Sequence, residues 1–219
     1  MGRPKQFIEL LGVPALQYTL RAFEDAPEIA SIYAAGDEGM VEDLAHSAGI
    51  SKYVACADAG ESRSLSTRNG LLLCGEDPDT IVLVHDGSRC LVTPDLIGRV
   101  VRAASEPDAP DGVVPGIVVS DTIKVARDGA VALTLDRTDL RAIQTPQAFR
   151  LGLLRRLHEG PEERLRTATD DASLVERDGG RVEIVAGEKT NIKLTSPEDL
   201  IFAEAILAAR RGATHEVRP

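Results

Sequence analysis

Two lysines, an aspartate and an arginine are the residues whose setting suits chemistry on a phosphate. The aspartate and the arginine lie in HDGSR, directly after the apolar run TIVLV. Asp86 and Arg89 would therefore stand at the carboxyl edge of a strand, with Gly87 permitting a tight backbone. An Asp there binds a metal or a hydroxyl group, and an Arg grips a phosphate through a two-pronged fork. An Asp–Arg pair that only ties down a loop fits the same residues. His85 reads as structural, since the sequence shows no partner for it. Lys193 sits in NIKLT between Ile192 and Leu194. A lysine pointing into a sheet is expensive to bury without an anion, whereas one pointing out of an edge strand is ordinary alternation. Lys5, in PKQF, is open to the same two readings, ligand or solvated charge.

Weaker signals surround these. In AGESRSLSTRNG, Gly60 follows a strand and Ser66 lies near a helix start, so a flat ligand could approach the backbone there. Gly and Ser are also common loop residues. In DRTDLRAIQTPQAFR, Arg137 and Thr145 are polar among apolar neighbours. In ATDD, Thr169 reads as a helix cap that could still reach a ligand, and Asp170 and Asp171 suit the first turn or the cap. No spacing identifies a metal site.

The elements that must position these residues alternate between helix and strand. VPALQYTLRAFEDA, MVEDLAHSAG and LSTRNGLLLC have helical spacing, and Gly49 suits a helix end. TPDLIGRVVRAA is a helix with Thr93 as N-cap and Pro94 at its first position. SIYAA, KYVACA, TIVLV, DGVVPGIVV, RVEIVAG and NIKLT read as strands, and TDDASLVERDG and SPEDLIFAEAILAARR as helices. Such alternation predicts an α/β fold, one domain over 1–219, with a mostly parallel sheet covered by helices on both faces. Ligands of such sheets bind beyond the carboxyl ends of the strands. One stretch breaks the rhythm: residues 121–137 read as two strands around Asp128-Gly129, a hairpin signal. This hairpin is expected to project as an arm that pairs with another subunit; the alternative is that it lies on its own domain.

Composition narrows the partners. With 25 Lys+Arg against 35 Asp+Glu the net charge is −10, and aromatic residues make up 3%. That argues against non-specific binding of nucleic acid or membrane surfaces, while a few local cations can still hold a small anion. Cys56, Cys74 and Cys90 have no paired spacing and read as free thiols in a reducing, cytoplasmic setting.

Taken in order, PKQF, HDGSR, DT-IK, DR-x-x-L-R-A-x-QTPQAF, TDDAS and NIKLTSPEDL resemble the 2-C-methyl-D-erythritol 4-phosphate cytidylyltransferases, from Lys5 to the closing helix. QTPQAF and NIK-x-T-x-P-x-DL are the specific motifs. The resemblance implies a Rossmann-like nucleotidyltransferase fold, transfer of a cytidylyl group from CTP to 2-C-methyl-D-erythritol 4-phosphate with release of pyrophosphate in isoprenoid precursor synthesis, Mg²⁺, and a homodimer with an exchanged arm. It implies Lys5 and Lys193 as catalytic residues, and Gly60 and Ser66 near the cytosine and ribose. It places Asp86, Arg89, Thr122, Arg137, Thr145 and Thr169 around the polyol phosphate, some across the dimer.

Two departures from the family pattern stand out. Cys90 follows HDGSR where the family usually has Pro, and only MGR precedes PKQ where the family has a hydrophobic strand and a Gly-rich, Arg-bearing loop. The expectation is a true beginning upstream of Met1, with weak or absent activity for a chain starting there. Two other readings remain at this point: a cytidylyltransferase for another polyol phosphate, such as ribitol 5-phosphate, and a non-catalytic nucleotide-binding or dimerisation module.

Overall fold

The computed structural model describes residues 7–216, with side chains through residue 212. A tight antiparallel pair, β1 (Glu9–Leu10) and β2 (Val13–Pro14), opens into helix α1 (Ala15–Asp25). Strands β3 (Ile32–Gly36) and β4 (Tyr53–Asp58) pair in parallel across α2 (Glu38–Ser47), and α3 (Arg63–Leu73) follows. Side-chain caps set these starts: Asp37 accepts the Met40 N–H and Ser62 the Leu65 N–H.

The strands of the larger sheet are β5 (Ile81–Val84), β6 (Gly112–Val118), β9 (Arg141–Ile143), β10 (Gln147–Arg150) and β11 (Val182–Ala186). Their order is β11-β6-β10-β5, with β9 paired to β6. β11 is parallel to β6, while β10 inserts antiparallel between β6 and β5. Thus β5, β6 and β11 point one way, as the α/β reading expects. β9 also runs antiparallel to β6, so this sheet is mixed where a mostly parallel one was expected. Neither β9 nor β10 was foreseen. Gln147, Ala148 and Phe149 are all buried, so β10 shows no alternation to read.

Period-2 geometry sends neighbouring side chains to opposite faces. Val113 and Ala148 meet α1 and α4 (Pro94–Ala104) through Phe23, Leu96, Ile97 and Val100. Val114 and Phe149 face the other layer. That layer holds α3, α5 (Leu151–His158), α6 (Glu162–Arg166) and α7 (Asp171–Arg177). Phe149 needs room: a Cβ on Gly112 would come within 2.8 Å of its ring. The closing helix α8 (Pro197–Glu216) packs Ala203 and Leu207 onto Leu10, Leu91 and Leu194.

The hairpin forms as read, from β7 (Lys124–Arg127) and β8 (Ala130–Thr134). Asp128 and Gly129 turn it with φ of 49° and 78°, the left-handed pair that matches strand twist. Every residue of β8 is exposed, Val131 and Leu133 included. NIKLT corrects an expectation: no strand forms there. Leu194 is buried and its N–H bonds the Ser88 carbonyl, so the apolar alternation of Ile192 and Leu194 reflects core packing, not a sheet ladder. Among the described residues no helix is long and apolar enough to cross a membrane.

Candidate active site

β5 ends at Val84, and the chain turns sharply over Asp86 and Arg89, closed by a bond from the Arg89 N–H to the Asp86 carbonyl. NIKLT runs beside this turn and delivers Lys193. Asp86 becomes the hub. Its Oδ1 accepts Arg63 Nε at 2.7 Å; its Oδ2 lies 2.9 Å from Lys193 Nζ and 3.8 Å from Arg89 Nε. Burial pushes the Asp86 carboxyl up, but the charge and hydrogen bond of Arg63, then Lys193, bring it down to about 2. It is a carboxylate at any working pH.

Asp86, Arg89, Thr145, Thr169 and Lys193 line one cavity of about 320 Å³. Lys5 lies outside the described residues. Gly60 and Ser66 lie outside the lining, at the β4–α3 junction. There the Gly60 N–H donates to Ser66 Oγ at 3.0 Å, and a Cβ on Gly60 would meet the Ser66 nitrogen at 2.7 Å. Thr122 and Arg137 sit exposed on the arm, also outside the lining, and Arg137 Nη1 donates to the Ser120 carbonyl. The α7 cap is Asp170, which accepts the Ser173 N–H at 2.9 Å; Thr169 is left exposed at the cavity. The Thr169 cap reading is thereby corrected.

Thr145 is almost fully buried and its hydroxyl is committed. It accepts the Asp86 N–H at 3.1 Å and lies 2.9 Å from His85 Nδ1. His85 Nε2 faces the Arg89 carbonyl at 3.1 Å, so Nε2 carries the proton and Nδ1 accepts from Thr145. The imidazole thus fixes the turn from inside, and burial holds its pKa near about 4 despite the Arg89 carbonyl. Between about pH 6.5 and 4 the unfolded chain takes a proton that folded His85 refuses, so stability falls as pH falls. His85→Gln can keep both bonds without titrating. Urea midpoints are expected to show wild type losing on the order of 2 kcal/mol more than His85→Gln across that window. Parallel pH profiles would refute this role.

Sequence reasoning missed Arg63, Gln144 and Gln147 as site residues and read Asp170 only as helix-start chemistry; all four also line the cavity. Gln147 is buried and donates to Asp170 Oδ2 at 2.7 Å while accepting the Ala172 N–H. Gln144 donates to the Glu188 carbonyl at 2.8 Å. An amide set among apolar residues was the available signal in both cases, since buried polar groups need designated partners.

A model of the family described as 2-C-methyl-D-erythritol 4-phosphate cytidylyltransferase matches residues 1–209. The chain belongs to this family. A cytidylyltransferase of that name from Rubrobacter xylanophilus is 68% identical over 96% of this chain and 90% of its own length. One from Geobacillus kaustophilus is 45% identical, covering 95% of this chain and 91% of its own. Solved structures agree. The Thermus thermophilus enzyme superposes with a TM-score of 0.77 at 32% identity, covering 94% of each chain. The Anaerococcus prevotii synthase gives 0.81 at 30%, covering 94% of this chain and 91% of its own. Family membership confirms the nucleotidyltransferase fold class.

Proposed function

We propose that this chain transfers the cytidylyl group of CTP to 2-C-methyl-D-erythritol 4-phosphate, releasing pyrophosphate, in isoprenoid precursor synthesis. The observation that supports it most is the gathering of Lys193, Arg89 and Asp86 at one cavity in a member of this family. A phosphate oxygen of the polyol is the nucleophile and is already largely ionised near neutral pH, its second pKa being about 6. No general base is needed, which fits a His85 locked in a structural role. The new bond joins that oxygen to the α-phosphorus of CTP, and the bond to the β-phosphate bridging oxygen breaks, its electron pair leaving with pyrophosphate. The protein's work is to align two polyanions and to meet charge growing on the α-phosphate.

We assign that second task to Lys193 and to Lys5. Arg89 and Thr169 hold the polyol phosphate, with Asp86 accepting its hydroxyls; Thr122 and Arg137 join from the arm, and Gly60 and Ser66 flank the base and ribose. Mg²⁺ belongs to this reading as an ion carried by the triphosphate. Asp86 is committed to cations and Asp170 to Ser173 and Gln147, so neither fits as a free metal ligand, and no step is assigned to the metal. Cytoplasmic placement rests on three free thiols.

The arm supports a homodimer: β8 exposes Val131 and Leu133 on a hairpin paired only within itself among the strands described. Leu133→Glu is expected to shift the chain to monomer in sedimentation velocity and to lower activity at least about tenfold, since a charge would stand where the proposed partner covers an apolar side chain. An unchanged sedimentation coefficient would refute the arm interface. For the function itself, pyrophosphate release with CTP and Mg²⁺ should appear with the methylerythritol phosphate and not with ribitol 5-phosphate. Turnover with ribitol 5-phosphate alone would overturn the assignment, as would CTP binding without turnover in a chain extended upstream of Met1.

A further inference from the structure

Arg63 opens α3, where the helix dipole disfavours a cation. It is held there from two sides. Its Nε binds Asp86 Oδ1 at 2.7 Å, and its Nη1 binds Asp171 Oδ2 at 2.6 Å. Asp171 is wholly buried at the first position of α7, and its Oδ1 lies 2.9 Å from Nε2 of His158, buried at the end of α5. Burial pushes the Asp171 carboxyl up, but the His158 bond and the Arg63 charge hold it below the usual range, so it accepts and His158 Nε2 donates. The third guanidinium nitrogen, Nη2, is buried without a hydrogen-bond partner among the described residues, although Arg63 lines the cavity. A His–Asp–Arg series, buried at His158 and Asp171 and half-buried at Arg63, that reaches the hub of the cavity is more than an ion pair filling space.

We propose that Arg63, oriented by Asp171 and His158, is a positioning residue that keeps one oxygen of Asp86 occupied and so leaves Lys193 free to move from Asp86 to a substrate phosphate. In the ligand-free arrangement Lys193 shares Asp86 with Arg63. If Arg63 lets go, Asp86 turns its full charge on Lys193 and Arg89, and an ammonium clamped by a carboxylate is poorly available to a phosphate. The planar fork matters, because a single ammonium cannot bond both carboxylates along two fixed directions. The inference rests on the cytidylyltransferase reading above.

The test uses the full chain with Arg63→Lys, His158→Phe and His158→Gln. In steady-state pyrophosphate release, Arg63→Lys is expected to lower kcat at least about tenfold and raise KM for the polyol phosphate about fivefold, with KM for CTP within about twofold. His158→Phe follows in the same direction, and His158→Gln, whose amide can still donate to Asp171, recovers toward wild type. A purely structural role would lower kcat only with the folded fraction and leave both KM values alone; that pattern overturns the proposal. A second readout needs no turnover: the Arg63 Nε–H resonance, assigned by its loss in Arg63→Lys. Its exchange with water should be slow in wild type and faster in His158→Phe. Unchanged exchange in a folded His158→Phe protein also overturns the proposal. If wild type itself is silent, the kinetic arm moves to a chain extended upstream of Met1, where silence means the assigned function fails, and the resonance alone decides the positioning role. If His158→Phe does not fold, the partly exposed Arg63→Lys variant decides through its kinetic pattern.

Discussion

Lys193→Met is expected to lower kcat about a hundredfold or more and to leave the urea midpoint nearly unchanged. Both halves follow from geometry. The Lys193 side chain is 42% exposed, and Asp86 keeps Arg63 and Arg89 when the ammonium is gone. No buried charge is orphaned, so folding loses no more than an exposed pair contributes, about 1 kcal/mol at most. On the proposed mechanism, turnover loses a charge that would act on the α-phosphate as its negative charge grows, and one such contact is worth about 3–4 kcal/mol. Lys193→Arg should not restore the rate, since a planar fork cannot occupy the place of a compact point charge. Steady-state kinetics beside urea melts give the answer. A kcat within about threefold of wild type would remove Lys193 from the reaction.

Asp171→Ala has the opposite signature, a large loss of stability. Asp171 is fully buried and is the acceptor for both Arg63 Nη1 and His158 Nε2. Deleting it leaves Arg63 Nη1 and the buried His158 Nε2–H without their acceptor between α3, α5 and α7. Breaking a buried pair in this way typically costs about 3–5 kcal/mol, enough to consume much of a domain's stability. The urea midpoint should fall accordingly with the m-value unchanged. A loss under about 1 kcal/mol would mean that water enters in its place and takes over the bonds.

What the sequence revealed of this site depended on the distance between partners. Local rules were legible: Thr93 and Pro94 start α4 as read, and Asp128-Gly129 turns the arm. The turn after β5 placed Asp86 and Arg89 together because both lie on one short loop. Arg63 was invisible by the same logic. Its carboxylate partners stand 23 and 108 residues away, and an arginine at a helix start reads locally as a solvated charge. His158 was hidden twice over, since α5 itself was not read from LGLLRRLH. Lys193 was singled out for a reason that did not hold, burial in a sheet, yet the loop that carries it brings it to Asp86. Apolar neighbours on both sides mark a residue pinned to the core, whether or not a strand does the pinning.

The contrast between the whole chain and its cavity affects how a substrate arrives. The protein carries −10 overall, while Arg63, Arg89 and Lys193 outnumber Asp86 and Asp170 in the cavity lining. A nucleotide diffusing from afar meets repulsion first and attraction only within the last few ångströms. Dissolved salt screens these unequally: at 0.1 M the screening length is about 10 Å, so the distant field fades while contacts inside the cavity persist. Modest ionic strength should therefore speed the encounter, the reverse of enzymes whose net charge draws their substrates in.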